Sequence, residues 1–168
     1  MNSSPKAGEL TLPYVIAVDT REQHRYAFAQ QLRIGGKQYS IRTAAATLNA
    51  GDYSIVGFEQ SPGGVAIERK SLADAYGTFG RGRERFEREL ARLAAFRFAA
   101  VVVEAEWSAV LASPPARSRL KPRSVMGSII AWQVRYPTVQ WCFFPGRDVA
   151  EAFTARMLDR FYREFVAK

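Results

Sequence analysis

The sequence predicts an α/β domain with a mixed central sheet flanked by helices. Short apolar or alternating runs, separated by glycine- and proline-rich turns, fill the stretch from Tyr14 to Lys70. Beyond Lys70, segments with helical spacing alternate with further apolar runs, an order that lays helices against a shared sheet. The 168-residue chain fits one domain, large enough to bury most of its apolar surface. No repeat, low-complexity tract or linker divides it. Residues 1–12 read as a short disordered lead-in, and residues 13–168 as a single domain.

Tyr14–Val18 is an apolar run of strand length that ends in Asp19-Thr20-Arg21-Glu22-Gln23. Gly35-Gly36 is turn material, after which Tyr39, Ile41 and Thr43 alternate as strand residues do. Gly51 opens the stretch Tyr53–Phe58, which stops at Ser61-Pro62-Gly63-Gly64, and Val65–Lys70 returns as its hairpin partner. Phe86, Leu90, Leu93 and Ala94 then form a helical stripe. Ala99–Val103 is a continuous apolar run and reads as a buried strand. A basic loop from Arg117 to Arg123 follows Ser113-Pro114-Pro115, then a helix near Ser124–Arg135 and a strand at Thr138–Phe144. In the last helix Asp148 and Glu151 are spaced as an N-cap and its reciprocal partner. Ala150, Phe153, Met157, Phe161 and Phe165 share a stripe there, widened by Leu158 and Tyr162.

Charge narrows the function classes. Twenty-four Lys and Arg against sixteen Asp and Glu leave a net charge of +8, which points to a polyanionic partner, nucleic acid first. No basic amphipathic helix, lipidation signal or long apolar run supports a membrane surface instead. Met1–Leu10 lacks the basic start and apolar core of a signal peptide. The single cysteine, Cys142, forms no internal disulfide and no cysteine-based zinc site. A cytoplasmic or nucleoid/nuclear setting is expected, not secretion.

The residues with chemistry to offer gather at the open end of the predicted hairpin. Strand side chains alternate, so Glu68 and Lys70 share a face while Arg69 points away. Asp52 opens the preceding strand, and a turn at Pro62-Gly63 brings it beside Glu68. Two carboxylates and an ammonium on one patch suit a hard divalent cation such as magnesium, with Lys70 orienting a water or steadying developing charge. By spacing alone, the same pattern also fits a solvated, charged strand end.

The wording of these segments resembles the nuclease domain of the XPF family, the structure-specific endonucleases of DNA repair. Its signature of Gly-Asp, a spacer, Glu-Arg-Lys, three residues and Asp stands here as Gly51-Asp52 and Glu68-Arg69-Lys70 through Asp74. The preceding Asp-x-Arg-Glu stands as Asp19-Thr20-Arg21-Glu22, and Arg85-Phe86 with Glu89-Leu90 is similar to the helix that follows. The resemblance runs from about Tyr14 to the C-terminus. It implies a restriction-endonuclease-like core, dependence on Mg2+ or Mn2+, cleavage of branched or junction-containing DNA, and a homodimer or a heteromeric partner.

Carried over by residue, it implies Asp52 and Glu68 as main metal ligands and Lys70 as the catalytic lysine. Asp19 and Glu22 complete the catalytic and metal set. Asp74 matches the closing acid, although Ser71 and Asp74 also form a capping box. Arg21 either contacts phosphate or braces Glu22. Arg69 faces away from the metal, with its backbone carbonyl in reach of it. Family members usually carry a tandem helix-hairpin-helix module after this domain, and the chain stops at Lys168 without one.

Arg81, Arg83, Arg85, Arg88 and Arg92 crowd the segment beyond the acidic site, where Glu84, Glu87 and Glu89 also invite ion pairs. Arg81, Arg83, Arg85 and Arg88 are taken with Arg21 as DNA contacts; Arg117, Arg119, Lys121 and Arg123 form a second candidate track. His24 reads as an exposed turn residue rather than a proton shuttle. Trp107, Trp132 and Trp141 read as core or interface. The rival functions are a non-catalytic DNA-binding subunit of a nuclease complex and a resolvase or mobile-element recombination nuclease.

Overall fold

The computed structural model describes residues 10–29, 31–112, 114–116 and 118–167. The first nine residues of the expected lead-in, and Arg117 of the expected basic track, lie outside them. Seven strands form one mixed sheet: β1 (Leu10–Asp19), β2 (Leu32–Ile34), β3 (Lys37–Ala46), β4 (Tyr53–Ile55), β5 (Val65–Lys70), β6 (Phe98–Val103) and β7 (Val139–Phe143). Their spatial order is β2-β3-β1-β4-β5-β6-β7. β1 lies parallel to β3 and antiparallel to β4. β4 and β5 form the expected antiparallel hairpin, and β5, β6 and β7 run parallel. The helices are α1 (Leu72–Phe79), α2 (Arg83–Leu93), α3 (Trp107–Ala112), α4 (Pro122–Arg135) and α5 (Arg147–Phe165). None of these is long and apolar enough to cross a membrane.

Alternation sorts the sheet's side chains into two cores. Ala66, Val101 and Val103 pack with Phe86, Leu90, Val125, Ile129 and Trp132 on the face covered by α1, α2 and α4. Ile16, Val18, Ile67, Ala100 and Val102 pack with Tyr26, Phe28, Leu158 and Phe161 on the face covered by α5. Trp132 is fully buried and stacks between Phe79 and Trp141, while Trp107 packs edge-on against Phe143. Trp132 is a core residue, and half-buried Trp107 and Trp141 pack against that core.

Several elements differ from the sequence reading. β1 begins at Leu10, so residues 10–12 of the expected lead-in belong to the sheet, where Leu12 is buried. β2 and α3 carried too few residues to show a period. Asp148 is not the N-cap of α5. Gly146, at φ +99°, holds that position without a side-chain bond, and Asp148 sits inside the first turn, where its charge suits the helix dipole. The α5 stripe is also rotated from the expected one: Leu158 and Phe161 are buried, whereas Phe153 and Phe165 remain nearly half exposed.

Candidate active site

Backbone geometry at the hairpin's open end comes first. Gly51 takes φ +73°, and a Cβ there would stand 3.0 Å from the Ile67 carbonyl oxygen, so glycine lets the two strands close. Asp52 follows and is held on three sides. Its N–H donates to the Ile67 carbonyl (2.8 Å), and its own carbonyl accepts from the Asp19 N–H (2.9 Å). Its carboxylate Oδ2 accepts the Arg69 N–H at 2.7 Å.

Glu68 and Lys70 project from the same face of β5 and form an ion pair, with the Lys70 ammonium over the Phe86 ring at 4.9 Å. Burial raises the Asp52 pKa, and the nearby Glu68 carboxylate adds to that, pushing it up to about 8. Burial likewise raises Glu68, against the pull of Lys70. For Lys70 burial works against the charge, but the Glu68 carboxylate outweighs it and holds the pKa above the ordinary value. Lys70 is therefore an ammonium, a donor and a fixed positive charge.

Two adjoining clefts, of about 560 and 380 Å³, meet at this patch and share Arg21, Glu22, Asp52, Glu68, Lys70 and Arg85 in their walls. Glu22 accepts from the His24 N–H and stands 3.8 Å from the Arg69 guanidinium. His24 itself is exposed.

Asp19 is buried beside the clefts, but its oxygens are already engaged. One accepts from the Arg21 N–H (2.7 Å) and Nε (2.9 Å); the other accepts from Arg21 Nη2 (2.7 Å) and the Leu48 N–H (2.9 Å). Although burial acts to raise it, these bonds hold the Asp19 pKa below the ordinary value. Arg21 thus braces Asp19, not Glu22, and also donates to the Leu48 carbonyl at 2.6 Å. Asp74 lines the larger cleft and closes the capping box of α1, bonding Ser71 Oγ at 2.6 Å.

Arg69 turns to the opposite face, as alternation requires. It makes a two-pronged bond with Glu104 at 2.7 and 2.6 Å, both side chains being almost wholly buried. Arg147 joins the same carboxylate at 3.4 Å. What Arg69 offers the site is a backbone N–H to Asp52 and a guanidinium 3.8 Å from Glu22 at its edge.

Two carboxylates have roles that sequence reasoning missed. Glu104 directly follows β6, and its N–H donates to the Lys70 carbonyl at 2.8 Å. A carboxylate set directly at the end of an all-apolar strand was the available signal. Glu89 reaches from α2 to accept the Gly51 N–H at 2.8 Å and lines the smaller cleft. The sequence places Glu89 in the helix similar to the family's and among partners for surface arginines, but not at the site.

The arginines separate by partner. Arg83 donates to Ser128 Oγ (2.7 Å), pairs with Glu87 (3.4 Å) and lies over the Trp132 ring (4.8 Å), so it ties α2 to α4. Arg92 pairs with Glu89. Arg81, Arg85 and Arg88 are exposed, and none has a carboxylate partner among the described residues. Of these three, Arg85 lines both clefts.

Comparison with known proteins decides the family. The model of the ERCC4 domain matches residues 18–157, most of the chain. The chain belongs to the ERCC4 domain family. Among solved structures, XPF from Aeropyrum pernix aligns over 88% of this chain with a TM-score of 0.57 and 19% identity. That likeness shows the shared fold and bears out the mixed α/β architecture, and the ERCC4 domain match bears out the XPF-family resemblance. The chain spans 59% of that structure's chain. No curated protein sequence matches it.

The carboxylates of this ERCC4 domain fit a hard divalent cation. Asp52 and Glu68 are crowded oxygen donors, and Glu22 borders the same space. Among the described residues, no three histidine, cysteine or carboxylate groups converge on one point. Such a set is poor for zinc, which takes four close protein ligands in structural sites and three in catalytic ones. It suits magnesium or manganese, because magnesium binds through one or two carboxylates and fills its shell with waters and substrate phosphates.

Proposed function

We propose that the protein is a divalent-metal-dependent DNA endonuclease that hydrolyses phosphodiester bonds at branched or junction-containing DNA. The observation that carries this reading is the pair of buried Glu68 and half-buried Asp52 with the Lys70 ammonium beside it, at the mouth of a cleft rimmed by Arg85. Two carboxylates pressed together in a low-dielectric wall are costly unless positive charge joins them.

Asp52 and Glu68, with Glu22 at the edge, would hold Mg2+ or Mn2+, and a bound ion supplies an activated water and polarises the phosphate. The protein's own groups set the geometry. Gly51, Glu89 and the Arg69 N–H fix the Asp52 carboxylate, and Asp19 with Arg21 secures the end of β1 against the Leu48 segment. Lys70 places a positive charge where negative charge develops on the phosphate. Arg85 holds the phosphate at the cleft mouth. Asp19, with all its bonds to Arg21 and Leu48, serves as a brace in this scheme rather than as a ligand.

The reading is tested by incubating the pure protein with labelled flap, fork, nicked and four-way DNAs, with and without magnesium. Incision near a branch that requires the metal supports it; intact DNA in every lane sinks it.

DNA contact divides along the line that the partners draw. Arg85→Ala and Arg88→Ala should each weaken binding to all DNAs and lower the slope of log K against log salt by about 0.9 per lost phosphate contact. Arg83→Ala should leave that slope unchanged and cost stability instead, through its packing on Trp132. Fluorescence anisotropy across a salt series reads both.

Self-pairing belongs to the same reading. Phe153 and Phe165 on α5, with Ile130 and Val134 on α4, are large apolar side chains left exposed, Val134 at 77%. Light scattering at roughly 50 μM, within the range of ordinary dimer affinities, should give twice the 18.8 kDa chain mass. A monomer at that concentration rules out a stable pair.

A further inference from the structure

The active-site cleft does not end at Asp74. Ala73 and Gly77, on the exposed face of α1, line it and also line a further groove of about 730 Å³. This groove runs past Gly80 and Arg81 to Pro115, Arg119 and Leu120, in the segment before α4. The catalytic cleft has carboxylates in its wall, whereas among the described residues no acidic one lines the groove. The charged side chains that line it there, Arg81 and Arg119, are exposed. Neither has a carboxylate partner among the described residues.

Between the arginines the walls are apolar or small. Leu120 and Pro115 form one side, and Ala73 and Gly77 the other. Gly77 lies within α1, where glycine costs about 1 kcal/mol relative to alanine. Nothing stands within 4 Å of a Cβ added there. The glycine leaves the groove open at the point where it joins the catalytic cleft.

We infer that this groove holds an unpaired DNA strand leading into or away from the cleft. The inference rests on the proposed nuclease activity, because it makes the strand in the groove continuous with the strand presented to Asp52 and Glu68. A volume in the range of a small-ligand pocket admits about one or two nucleotides of a single strand, and not a double helix. Cationic groups that follow the backbone, beside apolar surface for base faces, are how proteins hold single strands without reading sequence. The groove therefore selects DNA in which duplex gives way to a single-stranded arm.

The test is binding without metal, read by fluorescence anisotropy, so that it does not depend on cleavage. The probes are a labelled oligo(dT) of about twelve nucleotides, within the usual site sizes for single-strand binding, and a blunt duplex of the same length. Two variants are compared with the parent: the double substitution Arg81→Ala with Arg119→Ala, and Gly77→Gln. Glutamine is a good helix former, so Gly77→Gln should melt no lower than the parent while its side chain fills the groove.

Each variant should bind the oligo(dT) about tenfold more weakly. The double variant should lose about 1.4 from the salt slope, two contacts' worth on a single strand. The duplex should change by less than about twofold. Unchanged oligo(dT) binding in both variants overturns the proposal, as does an equal loss on the duplex or a parent that binds no oligo(dT). A parent that binds as expected but never cuts with magnesium overturns the nuclease reading and leaves the groove standing.

Discussion

Lys70→Ala should slow single-turnover cleavage by about a hundredfold to ten-thousandfold, the usual effect of losing one positioned charge-stabilising or proton-transferring group. Lys70 is almost buried, fixed by Glu68 and packed over Phe86. Its charge is therefore preorganised, and no surface lysine or water replaces it at comparable strength. The magnesium concentration for half-maximal rate should move little or fall, since a competing positive charge has left Glu68. Lys70→Met keeps the aliphatic stem on Phe86 and removes only the ammonium. It should match the alanine variant in rate and stay closer to the parent in stability. If both variants cut within threefold of the parent, Lys70 serves the fold and not the chemistry.

Arg69→Ala should act on the other side of the sheet and mainly on stability. Breaking a buried, two-pronged ion pair leaves Glu104 facing a low-dielectric interior, a cost of about 3–5 kcal/mol. Arg147, at 3.4 Å from the same carboxylate, keeps part of that charge compensated, so the lower end is expected. At roughly 2–4 °C per kcal/mol for a chain of this length, the melting temperature should drop by about 6–12 °C. Asp52 loses nothing directly, because its bond from residue 69 is to the backbone N–H. The folded variant at low temperature should cut within a few-fold of the parent. Arg69→Lys should not restore stability, since an ammonium lacks the fork that meets both Glu104 oxygens.

The opposite behaviours of neighbouring residues 69 and 70 show what was legible in the sequence. Strand periodicity placed Glu68 and Lys70 on one face and Arg69 on the other, and the hairpin brought Asp52 alongside. Those are local facts, set by alternation and turn chemistry. The capping box at Ser71 and Asp74 was local too, and it formed. Roles that depend on which element packs against which were not legible. Glu104 becomes the partner of Arg69 only because β6 runs parallel beside β5. Glu89 reaches Gly51 only because α2 packs on that face. Arg83 and Arg85 both precede the same buried residue, Phe86, within one helical turn. Only the position of α4 turns Arg83 into a strut and leaves Arg85 at the cleft. Asp148 failed as a cap because Gly146, with its positive φ, lets the helix start earlier than the Asp148–Glu151 spacing suggests.

The central claim is that Asp52 and Glu68 together make the cutting site, and single-turnover cleavage by Asp52→Asn at saturating magnesium tests it most directly. Asparagine keeps an acceptor for the Arg69 N–H but cannot supply the carboxylate that a cation draws from Asp52. Above about pH 8, where the metal-free Asp52 carboxyl ionises beside Glu68, the metal-free variant should be more stable than the parent by about 1–2 kcal/mol, an advantage that fades as the pH falls and Asp52 takes up its proton. DNA binding without metal should hold or tighten. Cleavage should fall to the background seen without magnesium. A folded Asp52→Asn protein that cuts as fast as the parent would place the chemistry elsewhere and contradict the account.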